Sequence, residues 1–113
     1  MLMATINYTA EVNLAARHVK VEWPGLSGND DGQPFPSAGL RIASIHYWGN
    51  FNGGNVAVRA SNEISPTNFA PIDDRTAPDV QFFSTPMPSV GAVSPLAGAG
   101  VSSVGVAVLF QLP

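Results

Sequence analysis

The residues of this 113-residue chain that could do chemistry are two histidines, two adjacent carboxylate pairs and a tryptophan set between a histidine and an arginine. A nucleophilic Ser or Thr needs a base held against it, and His18 and His46 are the only imidazoles present. Both fall at polar positions of alternating segments rather than on loops at a strand end. That pattern describes a solvated or interface histidine and not a general base, so no catalytic residue is assigned and the chain reads as a non-enzyme. Asp30-Asp31 and Asp73-Asp74 could hold Ca²⁺ with nearby carbonyls, but neither pair has the regular ligand spacing of a calcium loop. Asx-rich turns account for them, because Asp and Asn side chains bond their own backbone. Gly53-Gly54 opens no helix and therefore cradles no phosphate. The expectation is a protein with no metal and no cofactor. Asn7-Tyr8-Thr9 has the form of a glycosylation sequon, in a chain with no visible secretion signal.

Trp48 has three readings. On an outward strand face beside His46 and Arg59, it could be capped by the guanidinium, covered by a loop of its own chain, or left as a platform for a partner or ligand. A carbohydrate- or receptor-binding module would use such a platform, with Asn50, Asn52 and Arg59 as the converging polar groups. Phe82-Phe83 poses the same choice. Adjacent residues of a strand point to opposite faces, so one ring is core and the other needs a cover.

Composition narrows the partners. Five basic residues against eight acidic ones, with Lys20 as the only lysine, provide no basic stripe for a phosphate backbone. Only 12% of residues are charged, about half the usual share, and so charge-poor a surface suits a protein that packs against others. Cysteine is missing, which excludes disulfides and thiolate metal sites. No stretch approaches the roughly 20 apolar residues of a membrane span, and Met1-Leu2-Met3-Ala4 has no signal-peptide character. Neither nucleic acid nor a membrane is expected as a partner.

The elements that must position these residues are strands. Ile6, Tyr8, Ala10, Val12 and Leu14 alternate with polar residues from Thr5 to Leu14, which predicts one half-buried strand. Val19, Val21 and Trp23 make a second, ending at Pro24-Gly25. A loop from Gly25 to Gly39 follows. Ala43 to Ser61 then reads as a hairpin turning at Asn52-Gly53 or Gly53-Gly54, with Ala43, Ile45, Tyr47, Phe51, Val56, Val58 and Ala60 inward. The two turn placements pair Arg59 with His46 or with Trp48. Six of the ten prolines lie between Ile64 and Pro95, leaving room for short strands such as Phe69 to Ile72 and Val80 to Ser84. Gly91, Gly98 and Gly100 precede a last strand, Ser103 to Leu112, with Val104, Val106, Val108, Phe110 and Leu112 on one face. No segment has helical periodicity. The fold class is therefore all-β, an antiparallel β-sandwich or small barrel, divided into an N-terminal arm at 1–18 and one β-sandwich domain at 19–113.

Val21-Glu22-Trp23-Pro24-Gly25-Leu26, Asn29-Asp30-Asp31-Gly32-Gln33-Pro34, Gly49-Asn50-Phe51-Asn52-Gly53-Gly54-Asn55-Val56 and Arg59-Ala60-Ser61-Asn62 occur in an order that resembles small virion proteins of tailed bacteriophages. The resemblance covers Val19 to Asn62, with an echo in Val104 to Leu112. After Asn62 the sequence departs, with Glu63-Ile64-Ser65-Pro66-Thr67-Asn68-Phe69 where those proteins carry Asp-Gly-x-x-Trp, and it lacks their Arg-Pro before the last strand. The resemblance implies a capsid decoration (cement) protein, a β-sandwich on the outer capsid surface of the virion. Its implied partners are the major capsid protein and further copies of itself, as a homotrimer. Synthesis in the host cytoplasm without a signal peptide is expected. The candidate contact residues are Ile6, Tyr8 and Val12 on the arm, Trp48 and Arg59 on the hairpin, and Phe69, Phe82 and Phe83 in the Ile64 to Pro88 region.

Overall fold

Alternating apolar residues give strands one wet and one dry face, and the chain buries the dry faces by stacking two sheets into a β-sandwich. The computed structural model describes residues 4–61, 68–75 and 91–113. Phe82, Phe83, the strand expected at Val80 to Ser84 and most of the proposed contact region lie outside the described residues.

The first sheet, a four-stranded one, contains β2 (Thr9–Asn13), β3 (His18–Leu26), β6 (Arg41–Asn50) and β10 (Ser103–Gln111), in the order β2-β3-β10-β6, antiparallel throughout. The second contains β1 (Thr5–Ile6), β4 (Asp31–Gly32), β5 (Phe35–Pro36), β7 (Val56–Ser61), β8 (Ala70–Arg75) and β9 (Ala92–Ala97). There β9 pairs β7 on one edge and both β4 and β5 on the other, β8 flanks β7, and β1 runs parallel to β4. Val21, Trp23, Ile45, Tyr47, Val104, Val106, Val108 and Phe110 from one sheet meet Val56, Val58, Val93 and Ala97 from the other. The last strand buries the face its alternation predicts.

Several sequence expectations are corrected. The segment Ala43 to Ser61 is not a hairpin, because β6 and β7 belong to different sheets. The local turn forms as its residues demand: Asn52 and Gly53 take φ of +49° and +77°, and Gly54 N–H donates to Phe51 O at 2.8 Å. The chain leaving this turn crosses to the opposite sheet. Phe51 is buried at the corner, and Gly54 fits because a Cβ there would lie 2.9 Å from Val101 N. Ile45, Tyr47, Phe51, Val56, Val58 and Ala60 still reach the core, now from opposite sides, whereas Ala43 does not: the register shift opposite Leu109 and Phe110 puts Ile42 in the core and leaves Ala43 half-buried.

Second, Thr5 to Leu14 is two strands. The run breaks at Asn7-Tyr8 and passes from the second sheet into the first, where β2 pairs β3 through Thr9↔Glu22 to Asn13↔His18. The true hairpin is therefore β2-β3, closed by the turn at 14–17, where Ala16 N–H donates to Asn13 Oδ1 at 3.0 Å and Arg17 takes a φ of +57°. Third, β9 is a strand where only loosened chain was expected, and it lies inside its sheet despite Pro95. That proline falls between the pairs Asp31↔Leu96 and Phe35↔Val93, where the ladder on one edge is interrupted. In the same way β3 continues through Pro24-Gly25 as a bulge, with Gly25 at φ +71° and a register shift against Val104 and Val106.

The packing around Pro95 gives a test. A Cβ at Gly32 would lie 2.4 Å from Pro95 Cδ and 2.8 Å from Trp23 Cδ1. Gly32→Ala is expected to cost about 1–3 kcal/mol of stability by overpacking, read as a lower urea midpoint. At Gly28 the added methyl meets nothing nearer than 3.5 Å, so Gly28→Ala should shift the midpoint much less. Equal shifts would contradict this packing.

Candidate functional site

The register places the candidate residues on two separate outer surfaces. Across the four-stranded sheet, Trp48 lies opposite Gly105, His46 opposite Ala107, and Ser44 opposite Leu109. On the other side of β10, Ala107 and Leu109 face Glu22 and Lys20, which face Thr9 and Glu11 in turn. The sheet's outer face therefore presents Trp48 and His46 at one side and a Lys20-Glu22 ion pair of 2.9 Å at the other. The His46 and Trp48 rings are 5.4 Å apart at 50°. Between the two sides lies a shallow cleft of about 170 Å³ lined by Lys20, Ser44, His46, Ala107 and Leu109. The Lys20 ammonium is held above its ordinary range by its hydrogen bond to Glu22 and by the charges of Glu22 and Glu11. Its positive charge persists through neutral pH.

Trp48 is placed by a glycine. A Cβ on Gly105 would sit 2.2 Å from Trp48 Cε2 and Cζ2 and 2.6 Å from Nε1, so the indole lies across the bare strand. Gly105 is not among the positive-φ glycines. The missing side chain serves the ring rather than the backbone, at a cost of roughly 0.5–1 kcal/mol for glycine inside a strand. The residue remains 37% exposed.

Arg59 is elsewhere, and both expected cross-strand pairs with Trp48 or His46 are ruled out by the separation of β6 and β7. On the outer face of the second sheet, its guanidinium Nη2 donates to Asp31 Oδ1 and, at 3.0 Å, to Ser94 Oγ. Ser94 Oγ in turn donates to Gly32 O at 2.7 Å. The Phe69 ring caps the guanidinium, 5.2 Å from centroid to Cζ. Arg59 and Phe69, singled out separately in the sequence, thus form one cluster, and that cluster fastens β4, β7 and β9 together. The Arg59 Nε is buried with no hydrogen-bond partner among the described residues. Neither histidine is brought to Ser94, since both occupy the other sheet.

The carboxylates of the Asp30-Asp31 pair are committed to protein donors. Asp30 Oδ2 accepts from Ser27 N at 2.9 Å and from Ser27 Oγ at 3.1 Å, so the side chain closes its turn by reaching three residues back and not forward as in an Asx turn. Among the described residues no three His, Asp or Glu side chains converge as metal ligands, and no helix is long and apolar enough to cross a membrane.

Within the arm, Ile6 and Tyr8 pack on their own core, Tyr8 edge-on to Phe35 at 5.2 Å and to Trp23 at 6.1 Å. Val12 does not. Ala10 and Val12 share the core-side parity of their partners Val21 and Val19. Yet all of β2 is exposed, with Val12 at 59% and Leu14 just beyond it at 76%. Gly105, Asp31 and Ser94 carried no local signal of their roles; Gly105 alone could have been noticed, as a strand-interior glycine at an outward position.

No protein-family model, no curated protein and no solved structure matches the chain.

The Arg59 cluster makes a quantitative expectation possible. Arg59→Met keeps the stem but leaves Asp31 and Ser94 short of a donor. With the side chains 17% and 34% exposed, the loss is expected at about 1–3 kcal/mol, below the cost of breaking a fully buried pair because solvent reaches Asp31. Chemical denaturation followed by Trp23 emission measures it. A change within about 0.5 kcal/mol would make the cluster ornamental.

Proposed function

We propose that the chain is a non-enzymatic structural protein of a tailed-phage virion, a decoration protein that binds the outer capsid surface and stabilises contacts between capsomers. The observation that carries this reading is the state of β2. It is an outermost strand, no strand among the described residues pairs its other edge, and its apolar row ends in exposed Val12 and Leu14. Edges of this kind are usually blunted by charged side chains, proline or a bulge; Thr9-Ala10-Glu11-Val12-Asn13 has a single charge, Glu11, no proline, and pairs β3 without a shift. An added strand from the major capsid protein would supply main-chain bonds, and Val12 and Leu14 would fix its register.

Such a contact is small. Burying two aliphatic side chains contributes about 1.5–3 kcal/mol each at most, which is too little to hold one subunit to a shell against the cost of association. A homotrimer presenting three such edges would convert the second and third contacts into intramolecular events. Low charge density favours the close approach that this demands.

The double variant Val12→Glu/Leu14→Glu tests the reading. Both positions are exposed, so the unfolding free energy should stay within about 0.5 kcal/mol of the parent. Occupancy on expanded heads of the cognate phage, scored by co-sedimentation, should fall at least about tenfold if the edge contact is lost. A variant that decorates shells like the parent contradicts the proposal, as does a parent chain that fails to co-sediment.

A further inference from the structure

The outer face of the four-stranded sheet has a use that the decoration reading does not require. We propose that Trp48, lying across Gly105, forms with the neighbouring cleft a binding site for one pyranose ring of a neutral glycan. The proposal stands independently of capsid binding.

Three features of the face point to this ligand. The first is the indole itself. Gly105 occupies one side of the ring, since no Cβ would fit between them, and the 37% of the residue left exposed lies on the outside of the sheet. A pyranose presents C–H groups on its flat face and hydroxyls around its rim, so an exposed aromatic surface held rigidly by the strand beneath suits it. The polarity of the cleft is the second. Ala107 and Leu109 supply an apolar floor, while Ser44, His46 and the Lys20-Glu22 pair supply donors and acceptors around it. The pair balances its own charge and Glu11 stands beyond it, so the face offers no surplus cation for a phosphate and suits a neutral polyhydroxylated ligand. Size is the third. A volume of about 170 Å³ is well below the roughly 300–1,000 Å³ of sites that enclose cofactors or drug-sized ligands. It accommodates one sugar ring with its neighbours in the chain left in solvent.

The arrangement differs from the one expected from sequence. Arg59 does not take part, being on the other sheet, and Asn52 is engaged elsewhere, its Nδ2 donating to Gly100 O at 3.2 Å. Lys20, Glu22 and Leu109 replace them, brought alongside Trp48 and His46 by the β3-β10-β6 order.

The chain has two tryptophans, and they separate folding from binding. Trp23 is fully buried with its indole N–H donated to Gln33 O, whereas Trp48 sits at the proposed site. In ¹H-¹⁵N spectra of the full chain titrated with cellotetraose and with chitotetraose, at least one oligomer should move the Trp48 indole signal. The amides of His46, Gly105, Ala107 and Leu109 should move with it, saturably and at millimolar ligand, while the Trp23 indole signal stays fixed. Trp48→Ala should weaken binding by about tenfold or more, and Trp48→Phe by only about threefold, because a smaller ring still stacks. Gly105→Ala, which pushes the indole off the strand, should match Trp48→Ala; the unchanged Trp23 signal verifies that each variant is folded. No saturable shift with either oligomer up to roughly 20 mM would overturn the proposal, since weaker binding lies outside useful affinity. Shifts mapping away from Trp48, or equal affinity in Trp48→Ala, would overturn it as well.

Discussion

A buried indole carries one polar atom that must be satisfied, and much of this sandwich is arranged around doing so for Trp23. Its Nε1-H donates to Gln33 O at 2.9 Å, which fixes the short β4-β5 segment over the middle of the core. Gly32 must then lie against both the indole and the Pro95 ring, so neither side chain nor spacing is free to vary there. Tyr8 closes the same corner, edge-on to Trp23 and Phe35, and Phe35 reaches Phe110 at 5.1 Å. One hydrogen bond and four rings thus join the β1-β2 link, β3, β5 and β10. Leaving the indole N–H unpaired would cost about 1–3 kcal/mol and would also release the segment that carries Asp31, the partner of Arg59 on the outer surface.

This constraint explains the behaviour of the arm. Ile6 and Tyr8 are drawn into the core by the aromatic cluster, and Asp31 N–H donates to Ala4 O while Gln33 N–H donates to Ile6 O. Beyond Tyr8 the chain has crossed to the other sheet, and the core-side row Ala10, Val12, Leu14 stays exposed. The alternation that looks uniform from Thr5 to Leu14 therefore has two meanings: its first half packs inside and its second half stays in solvent. Periodicity records which face is apolar, not what covers it.

The same limit accounts for what could and could not be read in advance. The all-β class, the inward faces of β3, β7 and β10, that of β6 from Ile45 onward, and the Asn52-Gly53 turn follow from alternation and turn chemistry, which are local; Ile42 in place of Ala43 depends on a register shift against β10, which is not. Pairing is not local. A strand-turn-strand with inward residues on both arms satisfies its core equally as a hairpin or as a crossing between sheets, and only the burial of Phe51 and the fit of Gly54 against Val101 decide for the crossing. Misplacing β7 also misplaced Arg59, and with it the partner of Trp48. β9 was hidden because Pro95 normally argues against an interior strand, and the interruption between β4 and β5 that admits it lies some sixty residues earlier in the chain. Glu22, Lys20 and Gly105 became visible beside Trp48 only when β10 was placed between β3 and β6.

Among the described residues, two surfaces are open to outside contact once the core and the Arg59 cluster are accounted for, the edge of β2 and the Trp48 face of the same sheet. The edge is the centre of the functional account, and amide hydrogen exchange addresses it most directly. Exchange would be compared for the intact protein alone and on expanded heads of the cognate phage. The account predicts that amides of Thr9 to Asn13 gain the largest protection on the shell. Protection that spares β2 and falls instead on β6 or on the Arg59 face would contradict it.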